Sequence, residues 1–204
     1  MQAAGPGVQD LFPDSLHLET LRDDILPFLH PVFFAIHPAD EDRPRVARWQ
    51  EQLCAGLSPV IVLRPIELLH VSVAVCGRAG RTRQSLRDAL HEAAQHFSFR
   101  PFDLTFEATT RFGENGRAFV AIADEASQRQ IDELRIALAD AQRWAGLLGS
   151  RGHQVAHLTL GYGDNLPEDR RSIPPFRFHV GAVDLVESKT GQSKHVRWDR
   201  WSFR

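Results

Sequence analysis

Lysine is almost missing from this chain. Lys189 and Lys194 are the only ones in 204 residues, so arginine supplies nearly all of the 24 basic side chains. Set against 26 acidic residues, they leave a net charge of −2. A protein that coats long nucleic acid is usually basic, so a long duplex is excluded as a partner, while a small nucleotide or a single RNA end is not. Cysteine is scarce too: Cys54 and Cys76 are too few for a disulfide scaffold and share no metal-type spacing. Free thiols in a reducing compartment are the expectation. No apolar run approaches the length of a membrane span. The segment Met1 to Asp10 has no basic patch leading into an apolar stretch, so no signal peptide is expected and the cytoplasm is the expected location. With 43% hydrophobic and 25% charged residues the chain has the composition of an ordinary folded protein, not a disordered one.

Residues 1–30 lack clear periodicity and read as an N-terminal extension, with 31–204 as the folded domain. Val32 to Ile36 is a short β-branched and aromatic run, the mark of a buried strand. Asp40 is the expected cap of a helix whose face is Val46, Trp49, Leu53 and Leu57. Strands are expected over Val60–Leu63 and Leu68–Cys76, with a bend at Arg64-Pro65. Thr82 can cap a second helix carrying Leu86, Leu90, Ala93 and Phe97. Phe102, Leu104, Phe106 and Ala108 alternate as a half-buried strand does, and Glu114-Asn115-Gly116 signals a hairpin into Ala118–Ala123. A third helical face runs through Ile131, Leu134, Leu138, Ala141, Ala145 and Leu148. Strands follow over Val155–Tyr162, Phe176–Val186 and Val196–Phe203. Strand pairs between long helices do not suit an all-parallel sheet; they predict an α+β fold of antiparallel sheet with helices packed outside.

One pattern occurs twice. Leu69-His70-Val71-Ser72-Val73-Ala74 and Ala156-His157-Leu158-Thr159-Leu160-Gly161 share the order small or apolar, His, aliphatic, hydroxyl, aliphatic, small. In a strand, side chains two apart share a face. Val71 and Val73, like Leu158 and Leu160, then face a core. His70 with Ser72, and His157 with Thr159, share the opposite face, roughly 6–7 Å apart along the backbone. An imidazole beside a hydroxyl suits the holding of one phosphate. A lone histidine on a polar strand face is usually just solvated, and one such tetrad arises by chance in about one chain in twenty of this composition. Two arise on the order of once in a thousand, so the pairing carries the signal. Each copy follows a long amphipathic helix, as an old internal duplication would leave it. Such halves pack about a pseudo-twofold axis, with both histidines facing a groove.

The paired motifs resemble those of the 2H phosphoesterase superfamily, and within it the RNA 2′,3′-cyclic phosphodiesterases, also called 2′-5′ RNA ligases. His30 to Pro38 is similar to that family's first strand, Arg111-Phe112-Gly113 to its hairpin entry, and Val183–Ser188, Gly191, Arg197-Trp198 and Trp201 to its C-terminal hairpin. Three positions depart from the family's habit: Ser72 stands where many members carry Thr, Ala156 where Pro is common, and His195 near a frequent Tyr. Residues 1–30 have no counterpart. The resemblance implies two pseudo-symmetric lobes with the paired His-x-Ser/Thr strands lining a central cleft. It implies His70 as general acid toward the 3′ oxygen and His157 as the base that activates water, giving a 2′-phosphate. Near-symmetry leaves those two roles exchangeable. It further implies the reverse reaction, a 2′-5′ link formed with a 5′-hydroxyl.

The chemistry agrees with the residue types. Opening a cyclic phosphate needs a base for water and an acid for the leaving oxygen, and imidazole serves both near neutrality. Ser72 and Thr159 would donate to the non-bridging oxygens, where charge builds. No metal and no cofactor are expected: His153 and His157 are four apart, but Val155–Tyr162 reads as a strand, which would not align them, and neither they nor His91 and His96 have a third ligand nearby. Gly146–Gly152 lacks P-loop spacing. Arg78, Arg81 and Arg83 could steer phosphate or line a solvated loop. Tyr162 could stack on a base or cover the core. The expected partner is an RNA end or small nucleotide bearing a 2′,3′-cyclic phosphate, met by a monomer, without a membrane. The alternatives are a nucleotide-binding module without turnover and a purely structural α+β protein.

Overall fold

The computed structural model describes residues 30–57, 61–79, 84–113, 115–147, 149, 154–189 and 194–204. The expected N-terminal extension, the Thr82 cap, Arg81, Arg83, Glu114, Leu148, His153 and Gly191 lie outside the described residues. In chain order the elements are β1 (His30–Ile36), α1 (Arg43–Ala55), β2 (Val62–Leu63), a 3₁₀ turn at Ile66–Leu68, β3 (Val71–Ala79), α2 (Gln84–Gln95), β4 (Phe102–Phe112), β5 (Ala118–Ala123), α3 (Glu125–Trp144), β6 (His157–Tyr162), β7 (Arg171–Val180), β8 (Ala182–Lys189) and β9 (Lys194–Ser202). The fold is α+β, and every described ladder is antiparallel.

The strand order is β7-β4-β5-β6-β3-β1-β8-β9, with β2 added to β6. It has two halves, β6-β5-β4-β7 and β3-β1-β8-β9, that run outward from a shared middle. The middle is thin: β3 meets β6 through one residue pair, Val71 opposite Leu158. The helices make good that narrow seam. The α1 helix follows β1 of one half but packs on β2 and β6 of the other, and α3 follows β5 and packs on both β4 of its own half and β3 of the other. Each of these two helices therefore reaches across the seam.

Side-chain chemistry fixes these contacts. Val46 and Trp49 of α1 are buried, and Trp49 stacks on Phe176 of β7 with ring centroids 4.2 Å apart. Gln50, also buried, donates from Nε2 to the Leu160 carbonyl of β6 at 2.6 Å. From α3, Arg135 is 1% exposed and donates from Nε to the Val73 carbonyl at 2.9 Å and from a terminal nitrogen to the Gln154 carbonyl at 2.9 Å. Val73 falls at a register shift between β1 and β3 and has no ladder partner in β1, so the guanidinium supplies the donor that its buried carbonyl needs.

The expected stripes are buried at Val46 and Trp49 of α1, at Leu86, Leu90 and Ala93 of α2, and at Ile131, Leu134, Leu138 and Ala141 of α3, while Leu53, Leu57 and Ala145 are half-buried. Four local expectations change. Asp42, not Asp40, stands at the α1 N-cap, and its carboxylate takes Arg45 rather than a backbone N–H. The strand expected from Leu68 begins at Val71, because Ile66–Leu68 closes a 3₁₀ turn after Pro65. The strand expected over Phe176–Val186 is two strands that part at Gly181. One pairs with β4 and the other with β1, so the chain crosses from one half to the other at that glycine. The first of them starts earlier than Phe176, since Pro174 and Pro175 sit at a register shift on an edge strand, where a missing N–H is tolerated. The β4–β5 hairpin turns as expected: Gly116 N–H donates to the Gly113 carbonyl at 2.9 Å, and both glycines have positive φ.

Candidate active site

The two tetrads meet at the seam. Around the pair Val71–Leu158 an antiparallel register puts His70 opposite Thr159 and Ser72 opposite His157. Val71, Val73, Leu158 and Leu160 are buried, and the four polar residues between them are half-buried. The alternation expected from strand geometry is the one observed. The small residue closing the second tetrad has a steric reason: a Cβ on Gly161 would stand 2.8 Å from the Val62 carbonyl oxygen of β2.

Both imidazoles are anchored in the same way. His70 Nδ1 lies 2.8 Å from the Leu68 carbonyl, and His157 Nδ1 lies 2.8 Å from the Val155 carbonyl. A carbonyl only accepts, so each Nδ1 carries the hydrogen and the neutral ring offers Nε2 as its basic atom. His70 Nε2 is 3.1 Å from Ser72 Oγ, which fits the hydroxyl donating to it. Aromatic rings flank each imidazole, Phe33 at 5.4 Å from His70 and Phe112 at 4.9 Å from His157.

Burial lowers the His70 pKa well below its ordinary value, and the charges of Arg64, His195 and His37 push the same way against the Leu68 hydrogen bond. Burial also lowers His157, with the Val155 hydrogen bond opposing and Arg135 adding to the shift. Both rings are therefore neutral near pH 7.

Several residues that sequence reasoning did not assign belong to this site. Arg64 donates from Nε to the same Leu68 carbonyl that anchors His70, at 2.8 Å, and from a terminal nitrogen to the Tyr162 hydroxyl at 2.5 Å. Tyr162 is exposed at the rim and does not cover the core. His37, just beyond β1, and His195 of β9 pack beside His70, with ring centroids 5.8 and 4.9 Å from it. His37 Nδ1 is 2.9 Å from Asp184 Oδ2, and Arg200 Nε donates to the other oxygen at 2.9 Å. Burial works to raise the Asp184 pKa, but the His37 hydrogen bond and the charges of Arg200, His37 and Arg197 outweigh it and hold the carboxyl below its usual value. Burial, Arg64 and His37 lower His195 to about 4. No local pattern groups His37 and His195 with His70, because β1, β3 and β9 are far apart in sequence.

Among the described residues, one ring nitrogen each from His37, His70 and His195 lies within 4.8 Å of the others, a grouping that could hold a metal ion. Of the described histidines weighed from sequence, His91 is on α2 and His96 stacks on Trp144.

An antiparallel α+β sheet whose two His-x-Ser/Thr strands meet on one face has the architecture of a 2H phosphoesterase. The family model for the 2′-5′ RNA ligase superfamily matches residues 37–192, and the chain belongs to that superfamily. Among solved structures, Escherichia coli LigT in its apo form is similar at 18% identity and a TM-score of 0.63, over 87% of this chain and 99% of that one. LigT complexed with 3′-AMP is similar at 19% identity and a TM-score of 0.62, over 85% of this chain and 98% of that one. TT0787 of Thermus thermophilus is similar at 20% identity and a TM-score of 0.58, over the same 85% and 98%. No curated protein sequence matches the chain. No described helix is long and apolar enough to cross a membrane.

Proposed function

We propose that the cleft hydrolyses a 2′,3′-cyclic phosphate, at an RNA end or on a nucleotide, to a 2′-phosphate, with no metal in the reaction. The observation that carries this reading is the matched pair of imidazoles, each fixed through Nδ1 to a backbone carbonyl. His157 Nε2 takes a proton from the attacking water. His70, protonated at Nε2, gives its proton to the departing 3′ oxygen. Once His70 is protonated its Nε2 no longer accepts, so the Ser72 hydroxyl turns with Thr159 toward the non-bridging oxygens, where it counts most in the transition state. The free cleft holds both rings neutral, and an anionic diester supplies the negative charge that a protonated His70 requires. Acid and substrate thus assemble together. With a 5′-hydroxyl in place of water, the same groups run in reverse to a 2′-5′ link. LigT has been solved with 3′-AMP, ATP and NADP+, which supports a nucleotide as the occupant.

Residues 31–204 act as one unit in this reading, because each half supplies one histidine, and the mirrored strand orders support duplicated halves. One chain holds the complete site, so a monomer suffices. The free thiols of Cys54 and Cys76 suit a reducing compartment such as the cytoplasm.

Turnover of 2′,3′-cyclic nucleotides and cyclic-phosphate-ended RNA in EDTA, with the product isomer identified, tests the reading. Hydrolysis to the 2′-phosphate by wild type, lost in His70→Ala and in His157→Ala, supports it. A second reading rests on the neutral His70, whose Nε2 accepts a hydrogen bond from the Ser72 hydroxyl: a cleft without its acid binds a nucleotide and leaves it intact. Tight binding with no turnover would select that reading.

A further inference from the structure

We propose that His37, His70 and His195 bind one divalent transition metal of the zinc class, and that the bound metal silences the cleft by occupying His70 Nε2. The metal half of this inference stands on geometry alone; the silencing half rests on the function proposed above.

The donors are already gathered. Each residue offers one ring nitrogen, and the three nitrogens lie within 4.8 Å of one another. A tetrahedral zinc with bonds of about 2.0–2.1 Å needs its donors roughly 3.3 Å apart. Small side-chain rotations close that difference. Three imidazoles with no carboxylate among them suit zinc, copper or nickel and not calcium or magnesium.

Two of the three second nitrogens are held as metal-bound histidines hold theirs. His37 gives Nδ1 to Asp184, which Arg200 fixes in turn, and His70 gives Nδ1 to the Leu68 carbonyl. Carboxylate and carbonyl partners of this kind set the tautomer and aim the other nitrogen. In His70 that other nitrogen meets the Ser72 hydroxyl, a weak partner that a metal would displace.

His195 supplies an independent observation. Its Nδ1 is buried and has no hydrogen-bond partner. Buried polar atoms are rarely left so, and a ligand would account for this one. The three rings crowd at centroid separations of 4.9, 5.8 and 6.2 Å.

Three protein ligands leave a fourth tetrahedral position for water or a phosphate oxygen. Metal on Nε2 takes the electron pair that would carry the acid proton, so hydrolysis stops until a chelator removes the ion.

The test uses full-length protein stripped with EDTA, dialysed, and titrated with Zn2+ by calorimetry and with Co2+ by visible spectroscopy. One equivalent of Zn2+, a four-coordinate Co2+ spectrum and X-ray absorption showing three nitrogen ligands are expected. His37→Ala and His195→Ala should each weaken binding by on the order of 100-fold, and Asp184→Asn by roughly 10–100-fold. His157→Ala should bind metal like wild type although it lacks the proposed base. Binding in that variant, with no phosphodiesterase activity in wild type, would sink the proposed function and leave the metal site standing. No stoichiometric uptake by wild type, or uptake indifferent to both His37→Ala and His195→Ala, overturns the site. If metal binds but Zn2+ leaves wild-type hydrolysis untouched, the silencing half is wrong. In His195→Ala, hydrolysis should no longer respond to Zn2+ relative to its own chelated level.

Discussion

His70 and His157 use one anchoring rule: each imidazole gives Nδ1–H to the carbonyl two residues before it, at 2.8 Å in both cases. The two residues come from different halves of the sheet, and the described β3–β6 ladder joins those halves through the Val71–Leu158 pair. The repeat seen in sequence is thus a repeat in side-chain geometry as well, and it leaves Nε2 as the working atom on both sides.

That symmetry leads to equal dependence on the two rings. His70→Ala and His157→Ala should each cost about 10²–10⁴ in kcat/KM on a cyclic-phosphate substrate, and the double variant little more than the worse single one. Steady-state kinetics beside circular dichroism would check this. A folded single variant retaining a third of wild-type activity would refute it.

Ser72→Ala and Thr159→Ala should act on kcat more than on KM, by about 10²-fold each, if their hydroxyls serve charge that develops in the transition state. A change confined to KM would mean ground-state binding instead. The serine variant also removes a partner of His70 Nε2, whereas the threonine variant does not.

The acid limb of the rate profile should lie low. Burial penalises the charged form of His157 and lowers its pKa. A base works when unprotonated, so His157 is competent at every pH above that lowered value. In EDTA, kcat/KM should not fall through loss of the base as pH drops from 7.5 to 6.5, and should fall only below. An acid limb centred at or above 6.5 would contradict the assignment of His157 as base.

Arg135 is a structural stake on both motif segments, through Val73 and Gln154. Arg135→Met keeps much of the apolar stem but strands both carbonyls and removes the ion pair with Asp132. Stability should drop by roughly 3 kcal/mol, read as a lower urea midpoint at constant slope. A drop under about 1 kcal/mol would show that solvent replaces the guanidinium.

Sequence alone determined whatever depends on local periodicity. The helical stripes of Leu86, Leu90 and Ala93 and of Ile131, Leu134 and Leu138 are buried as their spacing requires. The alternation that faces His70 and Ser72 away from Val71 and Val73 follows from strand geometry, and the pairing of the two tetrads needed only comparison of two segments. Tertiary structure decided what lies between elements. Gly181 looks like the middle of one strand until β7 and β8 find different partners. His37 and His195 join His70 only because β1, β3, β8 and β9 are neighbours in the sheet. Helix and strand signals are carried by residues two to four apart along the chain, whereas the site is assembled by pairings that span most of it, and no local pattern specifies those.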